Sequence, residues 1–486
     1  MPQAKIPTIR NPRSNPSCDP RRQALKAEGR VLLLSCYELG HSPMGLALPQ
    51  ATLRDAGFLP AMQDLSIERL DPDKARRAKF LGISVPMHTA LRLGVRVARH
   101  IRQLNAEVHI CFYGLYAGLN AAHLLDGTAD SVIGGEYREP LLELIRAMEL
   151  GTPPDLDGVS TRQHLHPARI ARSPGPPPSR EGLPPLARHA RLAVGGEQKL
   201  TGYAEATSGC KHQCLHCPIP AEYNGRFFAV PIDAVMHDVA AQVEAGASHI
   251  TFGDPDFLNG PTHARRLIGA FHDSFPRLTF DITAKVEHLL NHRSLLPVLA
   301  DAGCLFIVTA VETLNDRILA ILDKGHTRGD FLAALQLTRR AGIPLRPTWL
   351  PFTPWSALED YLDLLHMVRD EGLIHHVDPV QYAIRLLVPA RSPLLDSPAF
   401  APFKQPFDVE AWAHPWTHPD PRMDALQAEV AGLVETHTKN GAPAPAAFKA
   451  VLAAAYAAAG ASSPQPLPGD LPGQPPAPAL TESWFC

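Results

Sequence analysis

Three cysteines, Cys210, Cys214 and Cys217, stand in a CxxxCxxC spacing within Tyr203-Ala-Glu-Ala-Thr-Ser-Gly-Cys-Lys-His-Gln-Cys-Leu-His-Cys217. Two thiolates so closely spaced can turn onto one metal centre, and a third just upstream reaches the same centre from one irregular loop. The count of three is informative. A structural zinc site closes its tetrahedron with four protein ligands, whereas an iron–sulfur cube held by three thiolates leaves one iron open to a small molecule. Two alternatives stand beside that reading: a zinc loop with His212 or His216 as fourth ligand, and a chance grouping of thiols.

The same stretch follows a short apolar strand and places His216 just ahead of the third cysteine. In this it resembles the signature of radical S-adenosylmethionine (SAM) enzymes. The resemblance implies a [4Fe–4S] cluster on Cys210, Cys214 and Cys217, with SAM chelated at the open iron through its amino and carboxylate groups. It also implies one-electron cleavage of the sulfonium to a 5′-deoxyadenosyl radical.

The elements that must position such a loop come next. The chain has 486 residues, 45% of them hydrophobic and 20% charged, enough for two or three domains with their own cores. A net charge of −3 gives no electrostatic argument for nucleic acid or anionic membrane. No run approaches the ~20 apolar residues of a membrane span, and the polar amino terminus lacks a signal-peptide core. Eight cysteines without a disulfide framework fit a cytoplasmic protein.

Residues 1–28 are expected to be a disordered lead-in. Over residues 29–150, apolar runs at 31–35, 80–85, 107–112 and 131–133 alternate with helical stretches at 43–57, 90–104 and 140–150. That alternation predicts an open parallel sheet whose ligands sit at the carboxyl ends of the strands. The order, with Gly134-Gly-Glu-Tyr137 after the last strand, is similar to the cobalamin-binding domains found ahead of many radical SAM cores. The similarity implies cobalamin contacts at His41, Gly135 and Glu136. The Asp-x-His-x-x-Gly motif of other cobalamin proteins is missing, with Glu38-Leu-Gly-His41 in roughly its place. The plainer reading of His41, His88 and Glu136 is loop lining bonded to backbone.

Residues 151–200, rich in proline, read as an extended linker. Over 201–396 the pattern gives strands at 203–206, 248–252, 278–284, 305–309, 343–350 and 380–384 separated by helices, a partial (β/α)6 barrel with its active groups at the strand ends. The radical SAM resemblance implies SAM contacts from His216, Gly253, Asp254, Lys285 and Glu312, with Asp256 second to Asp254 for the ammonium. Asp254 reads equally as an Asp-Pro turn, Lys285 as a rim lysine and Glu312 as a salt-bridge partner. Arg346 and Arg385, at strand ends, are candidates for anchoring a substrate anion, because a guanidinium fork binds carboxylate or phosphate bidentately. Trp349, Phe352 and Trp355 shape the adenine side or fill the core; Cys304 reads as buried packing.

Residues 397–460 are expected to form a small helical cap, and 461–486 a flexible tail ending in Trp-Phe-Cys486. The segments 210–217, 249–259 and 380–389, together with this ending, resemble the radical SAM group named for its CUAEP or CCAEP tail. In that group a cysteine or selenocysteine follows the position of Cys486, which makes Cys486 a candidate for a redox or metal-delivering role and a recoded UGA codon an expectation.

The resulting expectation is an α/β protein: an N-terminal open parallel sheet of the Rossmann-like, cobalamin-binding type, then a partial radical SAM barrel and a small helical segment. Its cofactors are a [4Fe–4S] cluster, SAM and cobalamin, its substrate a small molecule or peptide, and its reductant a flavodoxin- or ferredoxin-type protein, with no membrane or nucleic-acid partner. Radical chemistry without methyl transfer and a non-catalytic metal or redox protein are the rivals.

Overall fold

The computed structural model describes residues 25–152, 155–171, 175–461 and 477–482. Two curved sheets face each other through their strand ends. The first has order β2-β1-β3-β4-β5-β6, built from β1 (Val31–Ser35), β2 (Ala61–Asp64), β3 (Phe80–Ser84), β4 (His109–Tyr113), β5 (Ser131–Ile133) and β6 (Val159–Thr161). Strands β1 to β5 run parallel and β6 pairs antiparallel with β5. β1 and β3 are buried at every position, the continuous apolar run demanded of strands covered on both faces. The helix His88–Leu104 buries Leu91, Val95, Ala98 and Ile101, one stripe at helical spacing. The strand order reverses between β1 and β3, so the loops leaving these two strands part and open a crevice.

The second sheet has order β14-β13-β12-β11-β8-β7-β15. Its elements are β7 (Arg191–Val194), β8 (Glu197–Ala204), β11 (His249–Phe252), β12 (Thr279–Thr283), β13 (Cys304–Glu312), β14 (Leu345–Trp349) and β15 (Ala479–Leu480). β8, β11, β12, β13 and β14 are parallel and alternate with helices, giving a curled half-barrel. Phe252, Phe257, Phe271 and Phe280 pack in the layer between this sheet and its helices. A short hairpin, β9 (Thr207–Gly209) with β10 (Phe227–Ala229), carries the cysteine loop above the sheet. The helices Pro421–Lys439 and Ala444–Ala458 pair with each other and close one side of the half-barrel. Among the described residues, no helix is long and apolar enough to cross a membrane.

Four expectations need correction in detail. The sixth barrel strand at 380–384 is instead the 3-10 turn Pro379–Tyr382, and only the isolated bridge between Phe352 and Arg385 continues the sheet there. Pro379 removes a ladder donor at the start of that run. Residues 151–200 do more than connect, since they supply β6 to one sheet and β7 to the other. The lead-in is buried by residue 25, where Leu25 enters the first core, and residues 1–24 lie outside the described set. The tail is not free throughout: β15 pairs with β7, Arg346 Nη1 donates to the Pro478 carbonyl at 2.9 Å, and Tyr37 Oη donates to Glu482 at 3.3 Å. The ending that includes Cys486 lies outside the described residues.

Candidate active site

The cysteine loop starts at a turn that only glycine fits. Gly209 has φ +77°, and a Cβ there would stand 2.5 Å from the Arg226 carbonyl oxygen and from the Tyr223 ring. From this turn Cys210 and Cys214 point into the protein, while Cys217 is half-buried. Cys210 Sγ lies 3.8 Å from Asn259 Oδ1, and Lys285 Nζ lies 3.7 Å from Cys214 Sγ. Burial pushes the Cys217 thiol up to about 12 and raises Cys210 as well. Free Cys210 and Cys217 are therefore protonated at neutral pH, and binding of iron is what expels their protons.

The opposite side of the loop rests on β13. His216 Nε2 lies 3.1 Å from Glu312 Oε1, and Lys324 Nζ donates to that oxygen at 3.1 Å. Burial alone would raise Glu312, but Lys324 and His216 outweigh it and hold the carboxyl well below its usual range. Lys324 is raised in turn: burial lowers it, and the Glu312 carboxylate more than compensates. Glu312 has φ +69°, a left-handed conformation rare for a side chain of this size. Such strain persists where the surroundings over-determine it, as a buried lysine and a half-buried histidine do here.

Of the other residues singled out from sequence, Arg346 and Arg385 have surroundings other than those expected, whereas His88, Cys304, Trp349 and Phe352 match a reading given for each. Asp254 faces the cysteine hairpin: it accepts from Ala206 N–H at 3.1 Å and from the Thr207 hydroxyl at 2.5 Å. Burial pushes it up to about 6, although these bonds pull the other way. Asp256 lies beside His288 and His212. Arg346 is paired with Asp378 and the Pro478 carbonyl, and Arg385 with Asp424, the Trp416 carbonyl and the Trp416 ring. Both forks are thus occupied by the protein, which removes the ground for reading them as substrate anchors. Trp349 and Phe352 are core, Trp355 bonds the Ala399 carbonyl, His88 bonds the Ala411 carbonyl, and Cys304 is buried packing.

Between the sheets lies a cavity of about 420 Å³. Glu38, His41 and Ser84 line it from the crevice of the first sheet, and Tyr203, Glu205 and Gly253 from the half-barrel. Gly253 is required by contact, since a Cβ would fall 1.9 Å from Tyr203 Oη. Glu136, in the turn after β5 beside Gly135, bonds Ser208 and, at 2.9 Å, Tyr223, so the first sheet grips the cysteine hairpin directly. His41 is buried against Tyr203, ring centroids 4.7 Å apart, and burial lowers its imidazole to about 4. Glu38 accepts from Gly45 N–H at 3.2 Å and is pushed up to about 7 by burial. Glu205 is pushed up to about 8, by burial first and then by Asp254 and Glu38. At neutral pH the cavity wall thus carries one mainly protonated carboxyl, Glu205, which can both donate and accept, beside Glu38, which is close to half protonated. From sequence, Glu38 stood only in the Glu38-Leu-Gly-His41 loop and Lys324 only in the turn Leu322-Asp-Lys-Gly-His-Thr327, neither with a role of its own, and Glu205 was missed, its signal a lone carboxylate in an otherwise apolar strand end.

Because the Glu205 value is raised above its ordinary 4.5, its contribution to stability is complete below that pH and is lost as pH rises through 8. Glu205→Gln, which mimics the neutral carboxyl, is expected to flatten the fall in the apo-protein's unfolding temperature between pH 5 and 9. A slope equal to that of the parent chain would refute the assignment.

Comparison with known proteins places this geometry. The family model of the Radical SAM superfamily matches residues 205–365. The chain is 22% identical over 208 residues to a tRNA-2-methylthio-N(6)-dimethylallyladenosine synthase of Shewanella sp. (strain W3-18-1), covering 40% of this chain and 43% of that protein. It therefore spans less than half the length of this curated relative. In fold it is similar to the radical SAM methyltransferase TsrM from Kitasatospora setae, solved with cobalamin and a [4Fe–4S] cluster, with TM-score 0.57, 17% identity and 70% of each chain covered. It is also similar to the cobalamin-dependent SAM radical enzyme OxsB, with TM-score 0.66, 13% identity, and 86% of this chain and 71% of that one covered. The matched segment begins at Glu205, spans the three cysteines and Glu312, and ends inside the helix Leu358–Asp370. The three-thiol loop fits the [4Fe–4S] cluster and SAM that such a domain implies, and residues 205–365 of this chain match the radical SAM domain.

Proposed function

We propose that the chain is a radical SAM enzyme that cleaves SAM reductively and methylates a small-molecule or peptide substrate, with cobalamin seated between its two sheets. The single observation carrying the methyl-transfer reading is the cavity where the crevice of the first sheet meets Glu205 and Gly253, immediately behind the cysteine hairpin. The cluster and SAM, when bound, supply a one-electron route to a 5′-deoxyadenosyl radical, and cobalamin supplies a methyl group.

The chain's own residues do the positioning. Cys210, Cys214 and Cys217 hold the cluster, and Lys285 places a positive charge against Cys214. His216 and Glu312, locked together with Lys324, present a fixed polar edge to the SAM ribose, and Gly253 leaves backbone open to the SAM amino group. Asp254 orders the strand leading into Cys210. His41, Gly135 and Glu136 belong to the cobalamin side. Protonated Glu205, with Glu38 poised to take up a proton beside it, suits a ligand edged with amides, since a protonated carboxyl can donate and accept. The cavity volume is that of a site for a nucleoside or a drug-sized ligand. A corrinoid is larger, so the surrounding loops must part to admit it. The tail resemblance, with a chalcogen beyond Cys486, and a flavodoxin- or ferredoxin-type reductant belong to the same proposal.

The reconstituted, reduced protein with SAM and cobalamin is expected to form 5′-deoxyadenosine and S-adenosylhomocysteine together. 5′-Deoxyadenosine alone would replace methyl transfer by another radical reaction. Zinc without labile sulfide in anaerobically purified protein would replace both by a metal-binding role.

A further inference from the structure

Beside the cysteines, and not used by the chemistry above, stands a second group of metal-ligating side chains from three elements. His212 lies in the loop between Cys210 and Cys214, Asp256 in the loop after β11, and His288 in the helix Val286–Asn291 that follows β12. His288 Nδ1 is 2.6 Å and His212 Nε2 is 3.6 Å from Asp256 Oδ2, and the Nε2 atoms of the two histidines are 3.2 Å apart. One donor atom from each of the three residues can be chosen so that all lie within 4.8 Å of one another. Asp256 and His288 are 0% and 2% exposed.

The orientation of these atoms carries the argument further than their proximity. Asp256 Oδ2 and His288 Nδ1 are both buried and neither makes a hydrogen bond, although they are in ion-pair contact. Buried polar groups left so are uncommon and need a partner. The other carboxylate oxygen, Oδ1, is tied down by Leu258 N–H at 3.1 Å, which fixes the orientation of Oδ2, as supporting hydrogen bonds do for metal ligands. Glu287 Oε2, 3.8 Å from His212 Nδ1, is placed to hold the far side of that ring.

We propose that His212, Asp256 and His288 form a site for one divalent first-row metal ion, separate from the three cysteines and joined to them through the loop. Two imidazoles and one carboxylate suit zinc or ferrous iron, and three protein ligands leave a position open for water. No sulfur enters the set, so its preference differs from that of the cysteines. A bound ion would fasten the cysteine loop to β11 and to the helix after β12 through ligands rather than through a His–His hydrogen bond.

The test uses the full chain, reconstituted with iron and sulfide, exposed to zinc and desalted. One zinc per chain is expected in addition to the cluster iron, with an X-ray absorption shell of nitrogen and oxygen at about 2.0–2.1 Å. His288→Gln, which keeps a polar side chain of similar reach, should lose the zinc and keep the iron and sulfide. Absence of zinc, zinc unaffected by His288→Gln, or a sulfur shell at about 2.3 Å would each overturn the site. Zinc with a nitrogen–oxygen shell in protein that takes up no cluster would uphold the site while refuting the radical SAM reading, so the two fail separately.

Discussion

Cys214→Ala is expected to yield protein without stoichiometric cluster iron or labile sulfide, and to reduce 5′-deoxyadenosine formation from SAM to background. Cys214 is the central thiol of the loop and the one that Lys285 approaches at 3.7 Å. Its removal leaves two protein thiolates for a cube that needs three to remain anchored with one iron open. The loss is categorical because no other cysteine among the described residues can substitute. Cys36 follows β1, Cys111 lies within β4 and Cys304 opens β13, each buried outside the cysteine loop. Cys304→Ala is the matched control: removing its buried sulfur costs about 1 kcal/mol of packing and leaves the iron and sulfide unchanged. A Cys214→Ala protein that still bound four irons would mean that the cluster is held elsewhere.

The largest expected effect on stability falls on Glu312. Glu312→Ala leaves Lys324, whose side chain is only 4% exposed, charged and without its carboxylate, a loss of about 3–5 kcal/mol. The sign of the pH dependence follows from the shifts. Glu312 is held below its ordinary 4.5, so its contribution is present above that pH and lost on acidification; Lys324 is held above its ordinary 10.5, so its contribution is lost only as pH rises beyond that. Between these limits the pair contributes a constant amount, unlike Glu205. The backbone adds a sharper comparison. At φ +69°, alanine keeps the left-handed strain and glycine relieves it, so Glu312→Gly should be about 1 kcal/mol less destabilised than Glu312→Ala. At an ordinary strand position glycine would be the worse of the two. Chemical denaturation of the three apo-proteins at neutral pH measures both differences, and a glycine variant less stable than the alanine variant would remove strain from the explanation.

Much of the fold could be read along the chain because parallel strands covered on both faces must be continuous apolar runs. Val31–Ser35 and Phe80–Ser84 announce themselves in this way. Ala61–Asp64 does not: Ala-Met-Gln-Asp has no apolar run, and its strand state comes from register with β1 and from Asp64 pairing with the buried His189. The apolar run at 380–384 misled for the converse reason, since its residues are buried by the C-terminal helices without joining a ladder.

What the sequence by itself determined is the chemistry that depends on short spacings: three thiols in one loop, His216 beside the third, and the alternation of strand and helix. These are properties of neighbouring residues, and local geometry suffices to express them. The tertiary structure alone decided which distant charges meet. It set Lys324 and His216 on Glu312, turned Asp254 toward the cysteine hairpin, occupied Arg346 and Arg385 with internal partners, and gathered Glu38 and Glu205 around one cavity. A side chain's charge state and free hydrogen-bonding capacity are fixed by what surrounds it in space, and residues 12 to 167 positions apart become neighbours only when the chain folds.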